Sequence, residues 1–398
     1  MVRICTLSTA GLALASYVSA HPGEHHSHDH MKRNIQLRDN VAAIGQRSLS
    51  SCSNSAGALA MKKRAVERRA QKVKEIREKK GLKAQQAARK YRRDADDLVA
   101  WEAVNHNMTG VSTNSIFSAI DDVFSANTSC VLAPEITDGP YYIAGEYLRS
   151  NTIEAEYCDG VPVFLEVQYV DVSTCEPIPT VAVDIWNCNA TGIYSGISTS
   201  GNYAADGLNS TYLRGIQLTD HDGVVQFETI FPGHYEGRAT HTHLLAHTNA
   251  TLQPNGTISI WDAPVSHIGQ LFWPETLRSA VEELYPYNTN EQSVTSNADD
   301  MWSILQADAS YDPFPQFVYL SDDLQDGLFA WIQIGVNASA DYTDDEYYNI
   351  AGYIDAEGGH STGSSVGGAP GGGGPGGNGT ANGTMTGAPP SGSGAPTS

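Results

Sequence analysis

From residue 94 onward the chain contains no lysine and only four arginines, Arg149, Arg214, Arg238 and Arg278, set against 39 of its 45 acidic residues. A body this acidic repels nucleic acid and anionic surfaces, so neither is an expected partner. Any cation retained inside it invites a functional reading. Long apolar runs are also lacking. After the first twenty residues none approaches the roughly twenty needed to span a membrane. Cysteine is scarce, with six in 398 residues. Setting aside Cys5 near the start, Cys52, Cys130, Cys158, Cys175 and Cys188 remain, an awkward odd number for an oxidising compartment.

The N-terminus accounts for the compartment. Arg3, a mostly apolar stretch from Leu7 to Val18 and the small residues Val18-Ser19-Ala20 read as a secretory signal over residues 1–20. Sequons at Asn107, Asn127, Asn189, Asn209, Asn249, Asn255, Asn337, Asn378 and Asn382 agree with a secreted, extracellular glycoprotein. Residues 21–60 are polar and carry His21, His25, His26, His28 and His30; disorder is expected there. Fifteen of the 24 lysines and arginines fall between Lys62 and Arg93. Residues 61–105 therefore read as a solvated basic helix, either a pro-segment or a docking arm. Dibasic pairs at 32–33, 63–64, 68–69 and 92–93 are candidate processing sites. A cut at the last would remove Cys52 and leave four cysteines with three pairings open.

The texture changes after about residue 128. Short alternating runs, Val163 to Tyr169, Val181 to Trp186, Val224 to Phe231, Ala239 to His247, Ile258 to Trp261 and Ile268 to Trp273, are punctuated by Gly, Asn, Asp and Pro. This pattern predicts a mainly β protein, a β-sandwich over 106–357, with one helix near Pro274 to Tyr285. From 358 to 398 a Gly/Pro/Ser/Thr-rich tail has nothing to build a core from.

The densest chemistry is in Gly233-His234-Tyr235-Glu236-Gly237-Arg238-Ala239-Thr240-His241-Thr242-His243. In a strand, side chains two apart share a face, so His241 and His243 project together as half of a metal site. Tyr235 stands behind a Pro-Gly turn. Tyr194 follows a strand ending at Trp186. Trp186 to Tyr194, Asp220-His221-Asp222-Gly223, Pro232-Gly233-His234-Tyr235 and Arg238-X-X-His241-X-His243, with an opening Pro134 to Tyr142, occur in an order that resembles the intradiol ring-cleavage dioxygenases. The likeness covers roughly residues 130–275. The basic arm and the tail lie outside it, and the run from Tyr235 to His241 is short compared with many bacterial members.

That resemblance implies a non-heme Fe(III) cofactor held by Tyr194, Tyr235, His241 and His243. Phenols ionise near pH 10 in water, and a bound cation lowers that value by stabilising the anion. Two hard phenolates in turn favour ferric iron over ferrous iron, zinc or copper. It further implies that a small aromatic diol displaces Tyr235, that O2 opens the ring between the hydroxylated carbons, and that a muconate-type diacid results. Arg238 and Gln270 would be catalytic with Tyr235. Tyr141 and Tyr142, with Arg238, would border the substrate. His234, His247 and His267 lie off the motif and read as structural. A homodimer is left open. The competing readings are a non-catalytic or wall-associated sandwich with a vestigial site, a copper oxygenase built on His21, and a zinc hydrolase, for which the motif offers no carboxylate base.

Overall fold

The computed structural model describes residues 45, 47–82, 102–109, 124, 136–155, 158–199, 202–203, 207–254, 256–259, 263–307, 311–345 and 348–362. The expected signal segment, the histidine-rich stretch, the dibasic pair at 92–93, Cys130 and most of the Gly-rich tail lie outside these residues. Among the described residues no helix is long and apolar enough to cross a membrane.

Eight strands make the sandwich: β1 (Pro162–Asp171), β2 (Ala182–Trp186), β3 (Arg214–Leu218), β4 (Val224–Ile230), β5 (His241–His247), β6 (Val265–Phe272), β7 (Gln316–Tyr319) and β8 (Leu328–Val336). One sheet runs β6-β5-β2-β3 and is antiparallel throughout. The other runs β7-β8-β1-β4, with β8 parallel to β1. Alternation decides which side chains meet between them. From β1, Val163, Leu165, Val167 and Tyr169 enter the shared core, where they join Val183 and Ile185 of β2, Leu244 and Ala246 of β5, and Leu271 of β6. The same alternation turns His241, His243, Leu245 and His247 to the far face of β5, which is covered rather than solvated.

The expected helical arm exists but is not solvated. Helix α1 (Ala56–Lys80) starts at Ser55, whose side chain accepts the Ala58 N–H at 3.1 Å. It ends at Gly81, where φ is +69°, with Leu82 N–H reaching the Arg77 carbonyl. Its buried residues, Ala58, Met61, Ala65, Val66, Arg69, Val73 and Ile76, form one stripe at helical spacing. Phe164, Phe329 and Trp331, on the outer face of β1 and β8, pack against that stripe. Arg64 pairs with Asp222, and Arg68 and Arg69 both reach the buried Glu166. A Cys52–Cys175 disulfide ties the residues preceding α1 to the sandwich. The structure therefore corrects the solvated reading: the charge is spent on carboxylates that the sheet presents.

Two short helices flank the first sheet. Helix α2 (Glu275–Glu282) falls inside the span expected from sequence. Helix α3 (Met301–Gln306) carries Asp300 as N-cap, accepting the N–H groups of Trp302 and Ser303. Order also continues past 357, where Gly358–Ser361 pairs with Gly352–Asp355, and that strand pairs in parallel with Ile143–Ala144.

Candidate metal centre and substrate pocket

The register of the first sheet builds the floor. His243 stands opposite Gln270 on β6 and opposite Trp186 on β2, and His241 stands opposite Phe272. Residues paired across antiparallel strands point the same way. One row thus presents Gln270, His243 and Trp186 together on the outer face. Trp186 lies flat on His243, with centroids 4.7 Å apart and planes 4° from parallel.

Two loops bring the phenols over that row. After β2 the chain makes an Asx turn in which Asn189 Oδ1 accepts the Thr191 and Ile193 N–H groups at 3.0 Å. Asn189 belongs to a sequon, and this oxygen is committed to holding the turn. Gly192 adopts φ +81°, and a Cβ there would meet the His234 carbonyl oxygen at 2.4 Å. Gly233, on the facing loop, would place a Cβ 2.3 Å from the Ala190 carbonyl oxygen. Only glycine at both positions lets the loops of Tyr194 and Tyr235 close on each other. His234 anchors the second loop, with Nδ1 2.8 Å from Glu282 and Nε2 2.9 Å from the Gln292 carbonyl.

The four expected ligands converge. His241 Nε2 and His243 Nε2 are 2.9 Å apart, and the Tyr235 hydroxyl is 3.3 Å from His241 Nε2. The Tyr194 ring meets Tyr235 edge-to-face at 5.7 Å and His243 edge-to-face at 6.1 Å. Four ligands about 2.0–2.1 Å from one ion would stand roughly 3.4 Å from one another. The 3.3 Å between Tyr235 and His241 matches that frame, and the two imidazole nitrogens, at 2.9 Å, stand closer than it. His241 Nδ1 donates to the Ala239 carbonyl at 2.6 Å, which leaves the Nε2 lone pair facing the phenols. Two histidines with two tyrosines do not make a cluster of three His, Cys, Asp or Glu side chains, and no such cluster occurs among the described residues.

Electrostatics suit a cation. Burial pushes Tyr194 and Tyr235 above the ordinary phenol range, with each other's charge and the Cys188 thiol adding to the effect on Tyr194. Burial, then the Arg238 charge, pushes His241 well below the usual imidazole value. The His241 imidazole is therefore a neutral donor, and the phenols can ionise here only beside a compensating positive charge.

Around this centre Arg238 is fully buried. It donates through Nε to Asp300 at 2.9 Å and through its guanidinium to Gln270 Oε1. Gln270 Nε2 donates to the Thr137 carbonyl at 2.8 Å. Tyr141 packs on Tyr194 at 4.8 Å and meets Tyr235 at 6.4 Å. Tyr142, expected beside the substrate, is placed elsewhere. Its ring packs on Trp186 and its hydroxyl meets His247 Nε2 at 3.2 Å, so it lies behind the row rather than among the donors. Asp300 escapes the motif and shows only as the acid before a short helix, and Trp186, although part of the motif, carries no role that the sequence assigns.

A family model described as Dioxygenase matches residues 137–256, a span that includes Tyr194, Tyr235, Arg238, His241 and His243 but not Gln270 or Asp300. The chain is 30% identical to an intradiol ring-cleavage dioxygenase from Tetranychus urticae over 53% of this chain and 97% of that one, with a TM-score of 0.44. It is 20% identical to the dioxygenase domain of a dioxygenase carbohydrate-binding protein fusion from Streptomyces sp. SirexAA-E, over 51% and 97% of the two chains, with a TM-score of 0.32. It is 17% identical to catechol 1,2-dioxygenase from Acinetobacter sp. ADP1, over 55% and 66%, with a TM-score of 0.33. A comparison with curated proteins returns no match.

Proposed function

Because the chain belongs to the intradiol ring-cleavage dioxygenase family, we propose that it is a secreted ferric enzyme that opens catechol-type rings between their two hydroxylated carbons, giving muconate-type diacids. The observation that carries this reading is the convergence of the His241 and His243 Nε2 atoms, 2.9 Å apart, with the hydroxyl of Tyr235 and the ring of Tyr194 that packs against both Tyr235 and His243. Two phenolates and two imidazoles are a hard donor set that prefers a trivalent ion. Bound by these four residues, Fe(III) would supply the Lewis acidity and the redox step that bring an aromatic diol and O2 into reaction.

The remaining work falls to the chain's own residues. Tyr235, the more exposed of the two phenols at 6% against 0% for Tyr194, would take a proton from the incoming diol at its phenolate oxygen. Arg238, buried and held at Nε, would stabilise negative charge building on the ring. Gln270, fixed by Thr137, would hold Arg238 and orient the ring edge. Tyr141 would form an aromatic wall. The whole group is buried, and exclusion of water strengthens each electrostatic contact. Arg238 is already balanced by Asp300, which favours a neutral catechol over one carrying a further carboxylate. Secretion is supported by the signal segment, the sequons and the Cys52–Cys175 disulfide, which fits an oxidising compartment.

The test is metal analysis and a visible spectrum after iron reconstitution, with oxygen uptake measured on a panel of catechols. About one iron per chain, a strong visible band from tyrosinate on iron(III) and ring-cleaved product are expected. A colourless protein that consumes no oxygen with any catechol would overturn the proposal and favour a vestigial site.

A further inference from the structure

One carboxylate reaches three parts of the site at once. Asp300 is 1% exposed. Its Oδ2 accepts the Arg238 Nε–H at 2.9 Å and the Ala239 N–H at 2.7 Å. Its Oδ1 caps α3 through the Trp302 and Ser303 N–H groups, at 2.8 and 3.3 Å. Ala239, held at its N–H, presents the carbonyl of its next peptide unit to His241 Nδ1 at 2.6 Å. At the other end of α3, the buried Gln306 accepts the Gln270 N–H at 3.3 Å. A helix outside both the sequence motif and the matched family region therefore touches both members of the Arg238–Gln270 pair.

We propose that Asp300 is a positioning residue for ring cleavage, setting through one oxygen the guanidinium of Arg238 and the backbone of Ala239, the residue whose carbonyl orients the imidazole of His241. The inference rests on the function proposed above. A guanidinium has five donors and many rotamers, and alone in a buried pocket it has no unique place. A charge-assisted bond to its Nε fixes the plane of the group and leaves the terminal nitrogens for Gln270 and the substrate side. Small misplacements of such a group lower rates steeply, so a residue that never touches substrate can act on turnover.

Two substitutions separate this role from the capping of α3. Asp300→Ser keeps a good N-cap oxygen but is too short to reach Arg238. Asp300→Asn keeps the cap and the side-chain length but removes the charge and turns an NH2 donor towards the Arg238 Nε–H and the Ala239 N–H. Both variants should retain about one iron per chain and the visible band and should still unfold cooperatively, with a melting temperature below wild type because the buried Arg238 loses its counter-charge. The kcat on catechol should fall about 100-fold for Ser and about 10-fold for Asn, with the smaller effect on KM. An independent reading uses metal-free protein: the Arg238 Nε–H should exchange slowly with solvent in wild type and rapidly in Asp300→Ser. Wild-type kcat in Asp300→Ser would overturn the proposal. So would loss of iron or of folding in Asp300→Asn, which would assign the residue to scaffold alone. If wild type cleaves no catechol while the Nε–H exchange behaves as described, the functional reading has failed and the clamp has not.

Discussion

Trp186 covers one face of His243, indole on imidazole, 4.7 Å between centroids and within 4° of parallel. The stack comes from register, since the two residues are paired across β2 and β5. A ring held flat on one side can aim Nε2 in only one direction. Partners that orient a metal-binding histidine typically alter metal affinity 10–100-fold when removed. Trp186→Leu is accordingly expected to weaken iron binding about 10-fold while leaving the four donors in place. Competition against a chelator measures this, and unchanged affinity would show that the stack does not aim the ring.

Ligands and charge stabilisers should separate cleanly. Tyr194→Phe and His241→Ala are expected to fold but to lose iron and the visible band. Arg238→Ala should keep the metal and lose about 100–1,000-fold in kcat. Metal analysis and stopped-flow absorbance distinguish the two classes. Iron retained in both ligand variants would contradict the assignment.

Behind Trp186 two carboxyls are buried together. Burial raises Glu146 from 4.5 to about 7, while Arg214 and Arg149 pull the other way. Asp184 is also pushed well up by burial, then by Glu146. A carboxyl with a raised folded-state value holds its proton more tightly when folded. Its contribution is fully present below about pH 4.5 and is lost as pH rises through about 7. Glu146→Gln should therefore be more stable than wild type at pH 8, with the difference shrinking towards pH 4.5. Urea midpoints across that range test this. His247, which burial pushes down to about 4, has the opposite slope and is common to both proteins.

The arm is fastened by buried charge. Glu166 is fully buried and bonded by Arg68, Arg69 and Gln226. Removing one side of such a cluster strands the other in a medium that cannot solvate it, a loss of about 3–5 kcal/mol. Glu166→Leu should destabilise by that order, and adding Arg69→Met should recover part of it. Chemical denaturation of the single and double variants gives the coupling; strict additivity would mean the ions do not sense each other.

Much of the site was legible before the fold. Period-two spacing puts His241 and His243 on one face, and the Pro-Gly turn announces Tyr235. What escaped has physical reasons. Strand β8, Leu328–Val336, is buried on both sides, so its apolar run shows no alternation to read. Gly358–Ser361 has almost no strand-forming side chains and owes its pairing to the neighbouring strand. Tyr142 differs from Tyr141 only in which way the chain turns it. Asp300 is some sixty residues from Arg238, and only folding makes them neighbours. The basic arm was misjudged because sequence shows its arginines without the carboxylates waiting on another element.

The Cys52–Cys175 link has a bearing on maturation. Residue 52 precedes α1 and residue 175 lies in the turn after β1, so the bond spans the basic region with the dibasic pairs at 63–64, 68–69 and 92–93. A protease nicking between 82 and 102 would sever the backbone without freeing what lies upstream. The product would be two polypeptides that travel as one on a non-reducing gel and separate when thiol is added. Trimming of this sort would yield a heterodimer of fragments, not a shortened enzyme.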